Sequence, residues 1–512
     1  MEKELKLLID EGQLGKLEHL QLLDRVTVGK PAAQMQRDVY FDTPAYDLMS
    51  NGMGLRVRHA GGKRLQTLKA GGSVQSGLHQ RDEWEAEIDA DLPDVESLKT
   101  MAEASGAALK ILNLPALQDK LQPIFTLEIE RNIRQLRLPG GEEVEMAIDR
   151  GHIVHGEKRE PVSEIELEIK SGSPHRLFGF ALELLDAIPM RLGSLSKAER
   201  GYALLARAKP KVVKAEKLKL RKNMSIEDSF IAIVSNCLAQ IHGNEQRVMH
   251  DTDAESVHQM RVGLRRLRSA LDMFEDIIAA PAVVQEELRQ LAGRLGAARD
   301  WQVLAGSTLE RVAGHAPKEN DIGELISAAQ ETASSNRAAA SEEVASLAYT
   351  RLQLQIAEWL GGRQWRESLN DGASGRLDMP VTTFAKAMLK RNEKRLLKRG
   401  KALDDNEPES RHRVRIAAKK ARYATEFFAS LYPKRHVRRY LSALSAMQEE
   451  LGWLNDAAVA DQLLGQLQFA NPSAAVDAAF ARGYLTASIY GSGANIRPLW
   501  KNFARAKPPY KH

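Results

Sequence analysis

Two short runs carry ionisable residues at every second position. Glu2, Glu4 and Lys6 alternate with Lys3, Leu5 and Leu7, and Glu164, Glu166 and Glu168 alternate with Ile165, Leu167 and Ile169. In a strand, a period of two places each set on one face. Taken singly, such a strand serves equally well on a surface, polar side out. The basic residues obey the same rule, however. Arg56 and Arg58 flank Val57, and Lys69 ends the run Leu65-Gln66-Thr67-Leu68-Lys69. Strands that each give Glu or Arg/Lys to one shared face describe a polar barrel interior. Carboxylates crowded in that way repel unless a cation lies among them. Oxygen donors without His or Cys suit Mg2+ or Mn2+. Arg and Lys in the same lumen require an anion of several charges. Phosphoryl groups with metal satisfy both halves, and the matching chemistry is metal-assisted attack of water on phosphorus.

The elements that must position these side chains are short strands. Residues 1–205 alternate at Glu2–Leu8, Gly54–Arg58, Glu83–Ile88, Thr126–Ile129 and Glu164–Ile169. The runs Ala60-Gly61-Gly62-Lys63, Ala70-Gly71-Gly72-Ser73 and Pro139-Gly140-Gly141 read as turns between them. Helical stretches are expected near 11–25, 94–107 and 175–188. Residues 206–223 are basic and Pro-containing, which reads as a linker. Ser225 with Asp228 three residues on resembles a capping box opening a helix. From 224 to 508 the texture is helical and rich in Ala, Leu and Arg. The expected fold class is therefore multi-domain α+β: an N-terminal antiparallel β tunnel or barrel with flanking helices, then a C-terminal all-α duplicated helical bundle.

A chain of 512 residues is too long for one core, so two or three domains are expected. No apolar run is long enough to span a bilayer, and the start MEKELKLLID carries acids where a signal peptide needs a basic, apolar leader. The single cysteine, Cys237, excludes an internal disulfide framework and a cysteine-based zinc cluster. The expectation is a cytoplasmic protein without a membrane partner. Its net charge of +5 hides an asymmetry: residues 1–208 hold 27 Lys+Arg against 33 Asp+Glu, and the remainder 46 against 35. An acidic half joined to a basic half suggests two different tasks, the second involving a polyanion.

The basic half repeats itself. His258-Gln-Met-Arg261-Val-Gly-Leu-Arg265-Arg266-Leu-Arg268 recurs as His412-Arg-Val-Arg415-Ile-Ala-Ala-Lys419-Lys420-Ala-Arg422. A second match follows each copy, Leu295-Gly296-Ala-Ala-Arg299-Asp300 and Leu451-Gly452-Trp-Leu-Asn455-Asp456. Duplication follows, with repeats of about 224–375 and 376–508. Spacings of 3, 4 and 3 put His258, Arg261, Arg265 and Arg268 on one helix face, and likewise His412, Arg415, Lys419 and Arg422. Val257, Met260, Leu264, Leu267 and Leu271 form the adjacent core stripe. No acid lies between Glu255 and Asp272, or between Glu409 and Glu426, to neutralise these faces. A polyanion-binding face is expected. Aromatics are only 5% of the chain, and neither basic repeat contains one before Tyr423. Nucleic acid is thus the lesser alternative partner.

The N-terminal residues resemble the CYTH superfamily, the triphosphate tunnel metalloenzymes. The resemblance rests on Glu2-Lys3-Glu4-Leu5-Lys6, Tyr40-Phe41-Asp42-Thr43, Gly54-Leu55-Arg56-Val57-Arg58, Thr67-Leu68-Lys69, Arg81-Asp82-Glu83, Ala147-Ile148-Asp149-Arg150-Gly151, Glu164-Ile165-Glu166-Leu167-Glu168 and Ser196-Lys197-Ala198-Glu199-Arg200-Gly201-Tyr202, in that order. It implies a domain at 1–205 with Glu2, Glu4, Asp149, Glu164 and Glu166 on Mg2+ or Mn2+. Lys6, Arg56, Arg58, Lys69, Arg131 and Lys197 would hold the triphosphate, and Glu83 and Glu168 would line the tunnel. Glu2, Glu4, Lys6 and Lys197 are the implied catalytic set. Arg134 and Arg137 compete with Arg131 for its role, and Arg37 and Arg81 are further tunnel candidates. Gly77-Leu78-His79-Gln80-Arg81 and the attached second half resemble bacterial inorganic triphosphatases. The implied activity is metal-dependent hydrolysis of inorganic triphosphate to diphosphate and phosphate. The alternatives are an RNA- or nucleotide-associated phosphohydrolase and an adenylate cyclase of the CYTH type. The second half resembles the CHAD domain, the conserved-histidine α-helical domain, which implies binding of inorganic polyphosphate; since both halves then favour phosphate polyanions, association with polyphosphate granules is a further expectation.

Overall fold

The computed structural model describes residues 2–205, 211–250, 253–315, 322–404, 407–470, 474–492 and 496–511. It divides into two compact units: residues 1–211 with 346–364, and residues 212–345 with 365–512.

The first unit is built on nine strands: β1 (Glu2–Ile9), β2 (Thr27–Asp42), β3 (Met53–Ala60), β4 (Lys63–Gln75), β5 (Leu78–Glu87), β6 (Gln122–Arg137), β7 (Glu143–His155), β8 (Lys158–Ser171) and β9 (Met190–Leu192). Their order is β5-β4-β3-β2-β6-β7-β8-β1-β9, and an added β5–β1 pairing closes eight of them into a ring. Every pairing is antiparallel. β1 makes the closure possible. It pairs with β8 through Glu4–Leu8 on one edge, and with β5 through Glu2–Leu5 and β9 through Leu7–Ile9 on the other.

The alternation expected from the sequence holds, with the apolar residues outside the ring. Leu5, Leu7, Val144, Met146, Ile148, Ile165 and Leu167 form one buried cluster with Leu177, Phe178, Ala181 and Leu184 of helix Arg176–Ala187. Leu55, Val57 and Leu68 form another with helices α1 (Val95–Met101) and α2 (Gly106–Leu112). We label Arg176–Ala187 α3 and Lys197–Leu205 α4. The first cluster also takes Leu354 and Ala357 from the helix Leu347–Gly361, and Arg351 of that helix reaches Asp186 of α3 at 2.6 Å. This helix lies in the sequence stretch expected to belong to the first helical repeat. Its apolar face instead completes the cover over α3.

One glycine pair differs from expectation. Gly71 and Gly72, read as a turn, sit inside β4, where the β4–β5 register shifts between Ala70 and Ser73. Both have positive φ, +63° and +104°, as a bulge requires.

The second unit is helical. Ser225 caps the helix Ile226–His242 by accepting from Asp228 N at 2.9 Å, as its spacing predicts. The helices that matter for the basic face are α5 (Ala254–Phe274), α6 (Ala282–Val303), α7 (Pro408–Phe427) and α8 (Lys434–Ala470). The core stripe Val257, Met260, Leu264, Leu267 and Leu271 is buried. Of the expected linker, 206–210 lie outside the described residues. Residues 211–221 form no helix or strand, and Val213 exchanges hydrogen bonds with Asn244 at 3.1 and 2.8 Å. No described helix is long and apolar enough to cross a membrane.

Candidate active site

The interior of the ring is a cavity of about 630 Å³ whose lining includes Glu2, Glu4, Lys6, Arg56, Arg58, Lys69, Arg131, Glu166 and Lys197. Each arrives there by strand alternation, except Lys197, which enters from the first turn of α4. Tyr202 of α4 donates to buried Asp42 at the end of β2 at 2.9 Å, which ties that helix to the ring.

One wall concentrates carboxylates. Asp149 of β7 and Glu164 and Glu166 of β8 are buried, and their oxygens lie within 4.8 Å of one another. Lys197 Nζ stands among them, 2.6 Å from Asp149, 2.5 Å from Glu164 and 2.8 Å from Glu166. Lys6 bonds Glu166 and lies 3.0 Å from Glu4. Arg131 grips Asp149 with Nε at 2.7 Å and Nη2 at 2.6 Å, and reaches Glu166 at 2.7 Å. Burial alone would push both lysines down. The surrounding carboxylates instead hold Lys6 and Lys197 above the usual lysine range. Glu166, against the cost of burial, is held well below the carboxylate range by Lys197, Lys6 and Arg131.

Further along the lumen, Lys69 bonds Glu2 at 2.6 Å and lies 3.3 Å from Glu83. Burial, opposed by Lys69 and reinforced by Glu4 and Glu83, pushes the Glu2 carboxyl up to about 7. Glu4 shows the opposite balance. Burial raises it, but Lys6 and Lys69 outweigh burial and Glu166, and bring it down to about 2. Arg56 and Arg58 of β3 share a buried acid, Asp38 of β2.

In the second unit, basic residues of both repeats act on one another. Lys419 is pushed down to about 7 by burial and by Arg265, Arg415 and Arg261. Burial, then Arg265 and Arg261 against Asp456, lowers Arg415. Burial, Arg299, Arg265 and Arg261, against Glu255, lower His258. The Nε atoms of Arg265 and Arg415 are buried without a hydrogen-bond partner. Two members of the expected face do have acids. Arg261 bonds Asp300 at 2.7 Å, and Arg422 bonds Glu426 at 2.7 Å. Asp300, from the second repeated motif, orients Arg261, and the expectation of no acid partner along the helix is corrected at Glu426, which stands four residues beyond Arg422. Arg268 and His412 are exposed.

Comparison with known proteins finds two families along the chain. Residues 1–202 match the CYTH domain family and residues 232–465 the CHAD domain family. The second half has a solved relative, the crystal structure of the CHAD domain from the plant Ricinus communis. It is 38% identical with a TM-score of 0.54, and the match covers 58% of this chain and 98% of that one. The chain joins a CYTH domain to a CHAD domain. Its CYTH part is 36% identical over 204 residues to an inorganic triphosphatase of Haemophilus influenzae, a match covering 40% of this chain and 54% of that protein. A 29% identical match over 297 residues, to an uncharacterized protein of Mycobacterium tuberculosis, covers 54% of each chain. The chain thus spans about half the length of the curated relatives it matches.

Within the CYTH lumen, Arg131 faces inward, whereas Arg137 is exposed beside Glu143 at 3.3 Å and Arg134 does not line the cavity. Arg81 lines the cavity and bonds Glu199 at 2.9 Å. Arg37 does not: its side chain is 55% exposed, because the neighbouring Asp38 takes the inward position. Sequence reasoning missed Asp38 altogether. Its signal was the alternation Gln36-Asp38-Tyr40 in β2, a strand whose first half is mostly exposed and carries no apolar rhythm.

The residues fit a hard divalent ion. The donor set is all carboxylate oxygen, and Glu2 is a half-buried carboxyl whose cation, Lys69, does not offset its desolvation. The Asp149, Glu164 and Glu166 group is already matched by Lys197, Lys6, Arg131 and Arg200, the last at 3.0 Å from Glu164.

Proposed function

We propose that the CYTH domain hydrolyses inorganic triphosphate to diphosphate and phosphate with Mg2+ or Mn2+, and that the CHAD domain binds inorganic polyphosphate. The observation that carries the first half is a closed strand ring with both carboxylates and unexposed Arg and Lys on its inner face. No apolar or aromatic ligand needs such a lumen, whereas a phosphoanhydride chain with its counter-ion matches it. The Haemophilus relative's activity supports the choice of triphosphate.

In this reading Glu2 and Glu4 would hold the metal; Asp149, Glu164 and Glu166, the other expected ligands, are ion-paired with Lys197, Lys6, Arg131 and Arg200 and would join it only where those cations give way. Bound there, it would polarise phosphoryl oxygens and activate water. Arg56, Arg58, Lys69 and Arg131 bind the triphosphate oxygens and fix the chain in line for displacement. Lys6 and Lys197, held charged by their carboxylate neighbours, neutralise charge that builds on the leaving oxygen. Burial of these groups keeps bulk water from screening them.

For the CHAD domain, the supporting observation is the set Arg265, Arg415 and Lys419, where the two arginines leave buried Nε atoms without a partner and both press on Lys419 more strongly than Asp456 relieves it. An anion of many charges relieves that repulsion.

The test is phosphate release from inorganic triphosphate by the full chain, in EDTA and after adding Mg2+ or Mn2+, with parallel titration of polyphosphate and RNA at one salt concentration. Metal-restored release and preference for polyphosphate are expected. Release from ATP or RNA ends in place of triphosphate, or equal affinity for RNA, contradicts the reading.

A further inference from the structure

Asp38 belongs to none of the metal or anion roles above, yet it is wholly buried in the wall of the lumen. Its register on the sheet places it directly across from Arg58, two positions from Tyr40 opposite Arg56. Its carboxylate is fully engaged. Arg58 donates Nε to Oδ1 at 3.0 Å and Nη2 to Oδ2 at 3.2 Å. Arg56 donates Nη1 to Oδ2 at 3.0 Å, and Gln36 Nε2 donates to the same oxygen at 3.1 Å. Burial would neutralise such an acid, but Arg56 and Arg58 hold it below the usual carboxylate range.

We infer that Asp38 is a positioning residue for the anion site, holding the Arg58 guanidinium by its Nε–Nη2 edge and the Arg56 guanidinium by Nη1, and leaving their other Nη N–H groups for phosphoryl oxygens. The inference rests on the reading of the lumen as a triphosphate site. An arginine offers five donors in a planar fork. Asp38 uses two of them on Arg58 and one on Arg56, so both forks are oriented before any ligand arrives. A competing acid shows why this matters. Glu83 lies 3.8 Å from Arg56 Nη2. Without Asp38, the freed guanidinium would turn to Glu83, and the lumen would lose a phosphate donor. Asp38 thus decides which way the basic wall faces, and it acts on the substrate only through the arginines.

The experiment uses the full chain and reads KM, kcat and melting temperature for Asp38→Asn, for Arg56→Ala/Arg58→Ala, and for the triple variant. Asp38→Asn is expected to raise KM for inorganic triphosphate about tenfold while kcat stays within about threefold of wild type. In the double-alanine background the same change is expected to raise KM no further, since its partners are gone. An unchanged or lowered KM, or a full additional rise in the triple variant, overturns the inference. If Asp38→Asn does not fold, Gln36→Leu, which removes the amide bracing Oδ2 at a position that also lines the lumen, is expected to raise KM by about threefold in wild type and not in the Arg56→Ala/Arg58→Ala background, and an unchanged KM, or an equal rise in both, overturns it. A wild type that neither binds nor hydrolyses triphosphate defeats the substrate reading itself. A wild type that does both, with variants that match it, defeats only the role of Asp38.

Discussion

Lys197 Nζ lies 2.6 Å from Asp149 Oδ2, so a helix side chain occupies the position that a metal ion would take among Asp149, Glu164 and Glu166. The lysine is nearly inaccessible, and so are two of the three carboxylates. In such a place Coulomb attraction is strong, and the cost of an unmatched charge is stronger still.

Lys197→Met is therefore expected to remove activity and to destabilise the fold by about 3–5 kcal/mol, the usual cost of breaking a buried pair. Mn2+ should recover part of that loss, because the three carboxylates would then form an open oxygen site. Thermal melting with and without Mn2+ checks this. A variant melting like wild type, or indifferent to Mn2+, contradicts the assignment.

Lys419 gives a pH signature to polyphosphate binding. Its folded pKa of about 7 is depressed by burial and by Arg265, Arg415 and Arg261, against Asp456. Below about pH 7 the ammonium is present and assists an anion. As pH rises through 7 the free protein loses that charge, so affinity for polyphosphate should fall between pH 6 and 8.5, with proton uptake on binding. For stability the sign is the reverse. The repulsion of a charged Lys419 is fully present below pH 7 and is relieved as pH rises toward the unfolded lysine value. Lys419→Arg, which restores the residue found at 265 in the other repeat, should flatten the affinity profile. Titrations at constant ionic strength decide, and parallel pH profiles for wild type and variant would refute the role of Lys419.

The helix Leu347–Gly361 makes the first unit discontinuous in sequence. Leu354 is fully buried with Leu177, Phe178 and Ala181. Leu354→Ala should destabilise that unit by about 2–5 kcal/mol, as for other buried leucines, seen in denaturant unfolding with triphosphate present and absent. A change confined to the helical unit would show that the helix belongs there instead.

Much of the ring was readable because strand alternation is a local signal. Glu2, Glu4 and Lys6, and Glu164 and Glu166, declare their shared face within a few residues. The basic stripes were readable for the same reason, since a helix face needs only spacings of 3 and 4. What escaped were relationships set by distant partners. Nothing near Asp38 says that two arginines on the next strand will close on it. Gly71 and Gly72 look like a turn, because a bulge differs only in what pairs alongside. Leu354 and Ala357 read as part of an ordinary bundle helix, and the cluster they join is specified by residues more than a hundred positions earlier. Glu426 is the exception: it stood at the helical spacing from Arg422 and was there to be read.

The central claim is that the inward face of β1 carries the chemistry, and it is tested most directly by metal-dependent phosphate release from inorganic triphosphate for three full-length proteins: wild type, Glu4→Gln and Arg37→Ala. Glu4 faces the lumen, 8% exposed, whereas Arg37 lies on the outside of β2. Turnover by wild type and Arg37→Ala, with a loss of at least about a hundredfold in Glu4→Gln, is the predicted result. Turnover that survives in Glu4→Gln, or is absent from a folded wild type supplied with Mg2+ and Mn2+, would contradict it.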